Sequence, residues 1–536
     1  MRLNRFLHKP STAWRGVHLA AAGVMLWTAC ASAAVPGIHG TSFTLTAQES
    51  YLSQPDGAAI YSWGYGCALT PNPVFVPSAV ANATCPQMQV PGPTLVVDEN
   101  DTVTITLQNQ LPAAAGNTSI LFPGFQVTTT GGVSGLLTQE AAPGAAVTYT
   151  FSATTPGTHS YYSGTQGDLQ VEMGLYGAIV VVPKGATSFP SAACGGLPYG
   201  GGVTERAKSA HSETDFRLST AAYDHASTCY DREYLFQLSE IDPRIHQQVQ
   251  TARATSTCAA GACPPLNVLT EPYHPTYFLV NGRSMPDDMD PNYAAEYPNQ
   301  PYNANPHMHP GEIVLLRIIG QGRWQHPFHE HGNHVRVLAR DGNLILSQTD
   351  PTKLAGPLLF TTTTTPGLTM DALFYWTGKG LNWDVYGHNR GDAAGGMSNL
   401  PCTPDANGYN TLGSAYQQVN FYEWCADHQK PLEKMPFGDV GAGGPVTLPD
   451  ANYLTNGTWY GGSAYLGPDA TARAVGTKGT TPPAGTIGNS PQTEAAFAYM
   501  WHSHNEREIT TNNVFPGGLM AMMLVDPWGY VIDETK

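Results

Sequence analysis

Apolar and polar residues alternate along this chain in short runs, with Gly, Pro, Asp and Asn between them. Leu95-Val96-Val97 runs into a polar turn at Asp98-Glu99-Asn100-Asp101, then Val103-Thr104-Ile105-Thr106-Leu107. A period of two with β-branched residues predicts half-buried strands joined by a turn. Val147 to Phe151, a turn at Pro156-Gly157, and Thr158 to Tyr162 predict a second group, closed by Gly174 to Pro183. Together they predict a complete β-sandwich or barrel over residues 34–185.

A weaker copy follows. Tyr234 to Leu238, Tyr277 to Gly282 and Pro310 to Ile319 repeat the earlier order, the last paralleling Asp98 to Leu107. Phe360 to Trp376 mirrors Val147 to Tyr162, and Gly517 to Val525 resembles Gly174 to Val182. The expectation is an internally duplicated all-β chain, with a second domain or domains over 186–536 and helices nearly absent. Residues 390–490 are rich in Gly, Pro, Thr and Ala and read as a long loop-rich insertion, or as the loops of a third domain.

Composition agrees. Among 536 residues there are 57 Gly and 43 Pro, and only 12% are charged. Residues 1–33 read as a secretory signal: Arg2, Arg5, Lys9 and Arg15, an apolar centre from Leu19 to Trp27, then Ala31-Ser32-Ala33. An exported protein is expected, periplasmic or secreted, with no membrane span after the signal is removed. The net charge of −16 becomes about −20 without the signal. That acidity gives no support to a nucleic-acid partner. Eight cysteines remain after Cys30 leaves: Cys67 and Cys85, Cys194 and Cys229, Cys258 and Cys263, Cys402 and Cys425. In an exported chain an even count reads as disulfides, with neighbour pairing the simplest connectivity.

The candidate chemistry lies in two histidine stretches, Gln325-His326-Pro327-Phe328-His329-Glu330-His331-Gly332 and Trp501-His502-Ser503-His504. In a strand, alternate side chains share a face. His329 with His331, and His502 with His504, would therefore offer four imidazoles to copper, zinc, iron or nickel. His307-Met308-His309 is a third His-x-His and is expected in an exposed loop. His388 is a further candidate neighbour, and His334 is expected on the other face from His329 and His331. Glu506 and Glu508 are candidate ligands, with Glu508 a base or a surface carboxylate in the alternative readings. Trp324, Tyr162, Tyr386 and Trp501 read as core packing before shields or electron carriers. The Thr361 to Thr365 run reads as a strand with no chemistry attached. No phosphate-binding glycine loop, nucleophile elbow or basic nucleic-acid stripe is present.

These residues resemble those of the multicopper oxidases, the group that includes laccases. The resemblance rests on Pro91-Gly92-Pro93-Thr94, Gly174-Leu175-Tyr176-Gly177, His326-Pro327-x-His329-x-His331-Gly332 and His502-x-His504. It implies tandem cupredoxin-like Greek-key β-barrels and a copper cofactor. By that likeness His329 matches a lone-copper ligand, while His331, His502 and His504 match paired-copper ligands. His326 matches the opening blue-copper ligand and Met520 the axial Met. The N-terminal half of the cluster is missing: Leu121 and Pro123 stand at one ligand pair, Tyr162 and Gly164 at the other. Ser503 replaces the blue-copper Cys, and Glu508 stands where that site's second His belongs. A hydroxyl cannot replace the soft thiolate of a blue site.

The expected metal ligands are therefore His329, His331, His502, His504 and His326, with copper favoured and zinc or manganese not excluded. Two functions fit. One is an exported oxidoreductase with a reduced mono- or dinuclear copper centre, acting on a small-molecule substrate, for which laccase-type four-electron oxygen reduction is disfavoured. The other is a non-catalytic scaffold for copper storage, delivery or partner binding. Substrate and oligomeric state are left open by the sequence.

Overall fold

In a computed structural model, the described residues are 35–69, 71–185, 216–256, 258, 263, 266–309, 312–376, 462–464, 497–525 and 532. The expected signal, His388, Tyr386, Cys194, Cys402, Cys425 and nearly all of the 390–490 stretch lie outside them.

Two five-stranded sheets form the first barrel. One contains Thr102–Asn109 between the strands Ser42–Ser53 and Ala146–Ser152. Its sequence alternation becomes a burial alternation: Val103, Ile105 and Leu107 point inward, as do Val147, Tyr149 and Phe151 across the ladder. Burying each such side chain contributes about 1.5–3 kcal/mol. Phe122 packs among them, its ring centroid 5.5 Å from Tyr149 and 5.1 Å from Phe151. The other sheet carries Leu95–Asp98, Gly157–Tyr162 and Tyr176–Val182.

The second barrel repeats this plan. Arg232–Ile241 runs parallel to Ile313–Gly320, which pairs antiparallel with Thr369–Tyr375. The first barrel has the same relations among Ser42–Ser53, Thr102–Asn109 and Ala146–Ser152. Phe497–Ser503 pairs with Met520–Val525 as Gly157–Tyr162 pairs with Tyr176–Val182. The all-β tandem architecture expected from the pattern is the one observed.

Buried polar contacts tie the barrels. Arg317 donates to Thr158 Oγ1 (3.1 Å) and pairs with Glu233 (2.8 Å). Asp371 accepts from the Thr158 hydroxyl (2.6 Å), and Gln321 Nε2 donates to the Gly177 carbonyl (3.0 Å). Every residue of Ile313–Gly320 is buried, which explains its nearly continuous apolar run.

Among the described residues the longest departure from the expected lack of helix is Pro243–Thr255, beside the single turn Gly167–Gln170. Asp242 caps it by accepting from Arg244 N–H, Pro243 opens it, and Ile245 and Val249 are buried at i, i+4. Disulfides join Cys67 to Cys85 and Cys258 to Cys263, as neighbour pairing predicts, and Cys229 is also disulfide-bonded. Among the described residues no helix is long and apolar enough to cross a membrane.

Candidate metal centre

Strand Pro327–Glu330 pairs antiparallel with Phe497–Ser503, placing His329 opposite His502 and Phe328 opposite Ser503. His504 N–H donates to the Pro327 carbonyl (2.8 Å), which carries the pairing past the strand end. After His331 the chain turns at Gly332, whose φ of +103° and closeness to the Tyr499 ring (3.0 Å from an added Cβ) suit only glycine. Trp501 Nε1 donates to the His331 carbonyl (2.9 Å) and fixes that turn.

The four rings consequently meet. Centroids are 4.8 Å apart for His329–His331, 4.7 Å for His329–His504, 5.6 Å for His329–His502 and 5.1 Å for His331–His502. His502 Nε2 lies 3.2 Å from His331 Nε2. Two nitrogens bound to one ion at about 2.0–2.1 Å would stand about 3–3.4 Å apart. No trio of His, Cys, Asp or Glu donors among the described residues is yet gathered for one ion. The rings are neighbours, with one nitrogen pair at chelating separation, and closing the set takes ring rotation.

Surrounding groups orient the rings. His329 Nδ1 shares a hydrogen bond with Thr361 Oγ1 (2.8 Å), and His502 Nδ1 donates to the Ser503 carbonyl (2.7 Å). Any metal bond from either ring would run through Nε2. Thr361, read from sequence as strand only, is thus part of the centre. Burial, then the neighbouring His331, His504 and His502, lowers the His329 pKa to about 4. Burial also lowers that of His502. His504 is exposed and His331 half-buried, leaving the cluster open to solvent on that side.

His326 stands apart. Its Nδ1 donates to Glu508 Oε2 (2.8 Å) and its Nε2 to Glu240 Oε2 (2.9 Å), and all three side chains are buried. Burial opposes the charged ring, but the two carboxylates prevail and lift its pKa to about 9. Ser503 Oγ donates to Glu508 Oε2 (2.6 Å), and Asn505 Nδ2 donates to Oε1 (2.9 Å). Glu240 Oε1 accepts from Arg323 N–H (2.7 Å), Trp324 N–H (2.9 Å) and the Tyr273 hydroxyl (3.0 Å). Glu508 is therefore a buried network member, not a surface carboxylate. Glu240 was not anticipated, although an acid ending the apolar run Tyr234 to Leu238 was a signal for it.

The first barrel shows what became of the other ligand positions. Leu121 and Tyr162 form an antiparallel bridge (Leu121 N–H to Tyr162 carbonyl, 2.7 Å), the topological counterpart of the His329–His502 pair. Ser163 N–H donates to the Leu175 carbonyl as Ser503 N–H does to that of Leu519. The remaining expectations divide. His307 and His309 are buried, not in an exposed loop, because His307–Met308 joins the sheet beside Leu524 and Val525. His334 stacks on Phe360 at 3.7 Å. Met520 packs with Met285 and Ile509, and Trp324 packs against Tyr273 and Phe278. Glu506 is exposed.

Residues 74–186 and residues 269–374 each match a family model described as multicopper oxidase. The chain belongs to the multicopper oxidase family. Laccase 1 of Metarhizium majus is 39% identical over 100 residues, covering 18% of this chain and 16% of that protein. Laccase-3 of Botryotinia fuckeliana is 39% identical over 97 residues, covering 17% and 20%. The chain thus matches under a quarter of the length of these relatives. Among solved structures, the multicopper oxidase mgLAC is 15% identical with a TM-score of 0.42, covering 92% of this chain and 87% of that one. The blue copper oxidase from Nitrosomonas europaea is 14% identical with a TM-score of 0.42, covering 90% and 85%.

Family membership implies copper, and the fit differs from place to place. The four-ring cluster offers the imidazole donors copper favours. At the blue-copper position the fit fails: both His326 nitrogens are committed to carboxylates, and Ser503 supplies a hydroxyl held by Glu508. The first-barrel positions offer no nitrogen donor, only the Tyr162 hydroxyl.

Proposed function

We propose that this is an exported copper-binding member of the multicopper oxidase family, with a single mono- or dinuclear centre built by His329, His331, His502 and His504. The observation that carries this reading is the contact of four imidazole rings from two paired strands and the residues just past their ends, with His331 and His502 Nε2 atoms 3.2 Å apart. Copper bound there would supply a Lewis acid able to change oxidation state.

The chain's own residues do the rest. Thr361 and the Ser503 carbonyl present Nε2 of His329 and His502, and Trp501 holds the His331 turn. The lowered pKa values keep the His329 and His502 rings neutral near pH 7, ready to bind without first releasing a proton. Solvent exposure at His504 gives a small molecule access. At the blue-copper position Ser503 stands in place of the Cys and His326 is held by two carboxylates, so oxidoreductase chemistry here would differ from laccase-type reduction of oxygen. That same closed position favours a second reading, in which the centre holds copper for storage or delivery without turnover.

Metal analysis tests the proposal. The mature protein, purified without chelators or a His tag and reloaded with copper, should hold about one copper, or two if the centre is dinuclear. It should lack an intense blue band, and His329→Ala, His502→Ala should remove the bound copper. Three or four coppers per chain, or none after reloading, overturns the proposal.

A further inference from the structure

The first barrel opens a cavity where the second carries its histidines. Leu121, Tyr162 and Gly164, three of the four positions that match missing copper ligands, line one cavity of about 300 Å³. Val171, Leu137 and Gly167 extend it within the first barrel, Gln321, Gly322, Pro366 and Gly367 of the second barrel form its other wall, and it opens to solvent beside the exposed Leu137 and Gly167. We propose that this seam cavity binds a small, neutral, mostly apolar organic molecule through one hydrogen bond to the Tyr162 hydroxyl.

Three observations carry the assignment. No lining residue bears a charge at neutral pH, so nothing there neutralises an ion. The volume sits at the low end for small-molecule sites, enough for a single substituted ring. Its other side-chain donors are committed: Ser163 Oγ donates to Gln170 Oε1 (2.7 Å), and Gln321 Nε2 to Gly177 O (3.0 Å) and Gln237 Oε1 (3.1 Å). The half-buried Tyr162 hydroxyl has no hydrogen-bond partner among the described residues. An apolar pocket with one uncommitted side-chain donor selects for a ring carrying one polar acceptor. Nothing in this assignment depends on copper at the histidine cluster.

Benzyl alcohol, with toluene as its apolar partner, is a direct probe. Titrated into the full metal-free chain and followed by calorimetry or ligand-observed NMR, benzyl alcohol should bind saturably at one site. Tyr162→Phe should weaken it about fivefold and leave toluene unchanged, the size expected for one hydrogen bond. A Cβ at Gly167 meets nothing within 4 Å, so Gly167→Phe can grow into open space and should weaken both probes at least about tenfold. Circular dichroism checks that each variant folds, and Tyr162→Phe keeps the test alive if the bulkier change does not. No saturable binding, including exclusion of the probes by another part of this chain or a second copy, overturns the proposal. So does binding that neither variant alters.

Discussion

The two barrels place the same backbone pairing to opposite uses. In the second, His329 faces His502 across an antiparallel pair; in the first, Leu121 faces Tyr162 across the equivalent bridge. One position gathers imidazoles, and the other gathers apolar side chains around a cavity. The difference shows that the cupredoxin-like framework holds its strands without a metal. Core residues such as Phe122, Tyr149 and Phe151 in one barrel, and Phe236, Phe328 and Trp501 in the other, supply the packing. A ligand position can change its side chain while its backbone pairing persists. A second lesson lies within the second barrel. There the blue-copper position has become an imidazolium held between Glu240 and Glu508, a polar site closed on itself.

Breaking that closed site should have the largest effect. Glu508→Ala leaves His326 and Ser503 without their buried acceptor. It should cost about 3–5 kcal/mol in urea unfolding, the range for removing one partner of a buried ion pair. A loss under about 1 kcal/mol would mean that water or another carboxylate takes over.

The pH dependence comes next. The folded pKa of His326, about 9, lies above its unfolded value of 6.5. The folded state therefore holds the proton more tightly, and the stabilisation is full below about pH 6.5 and lost as pH rises through about 9. It amounts to about 3 kcal/mol. The stability gap between wild type and His326→Gln should shrink by roughly that amount between about pH 6 and pH 10. Taking the difference removes contributions from other buried acids such as Asp288 and Glu330, whose pKa values are also raised.

Leu121→Ala sharpens the contrast between barrels. Leu121 is only half-buried, so the change should cost about 1 kcal/mol and leave the copper content unchanged. A loss of copper would tie the first barrel to the centre. The smallest expected effect is spectroscopic. Ser503→Cys restores the soft ligand type, but His326 Nδ1 remains held by Glu508, so no intense blue absorption should develop on copper loading. A blue band would show that the network yields to copper.

Much of the fold was legible because burial in a strand follows a period of two, which Thr102–Asn109 and Ala146–Ser152 carry plainly. The duplication was legible for the same reason. The helix Pro243–Thr255 is hard to read from sequence despite its Asp-Pro start, since its apolar face is narrow, with Ile245 and Val249 its buried aliphatic residues. Within the centre, the His-x-His spacing announced a shared face, but nothing local announced Thr361 or Glu240. Glu240 lies 86 positions from His326, and that hydrogen bond exists only because Arg232–Ile241 and the chain before Pro327 meet in the folded barrel.

The sequence by itself determined the strands, their duplication, and which ligand residues of the family are kept or replaced. Those properties are local: periodicity, turn chemistry and the donor atoms of each side chain travel with the residue. Tertiary structure alone decided that four histidines on and just past two distant strands meet, and that Leu121, Tyr162 and Gly164 line one cavity. It also decided the state of His326. A histidine between two buried carboxylates is a cation at neutral pH, and only the packed barrel brings both carboxylates to the one ring.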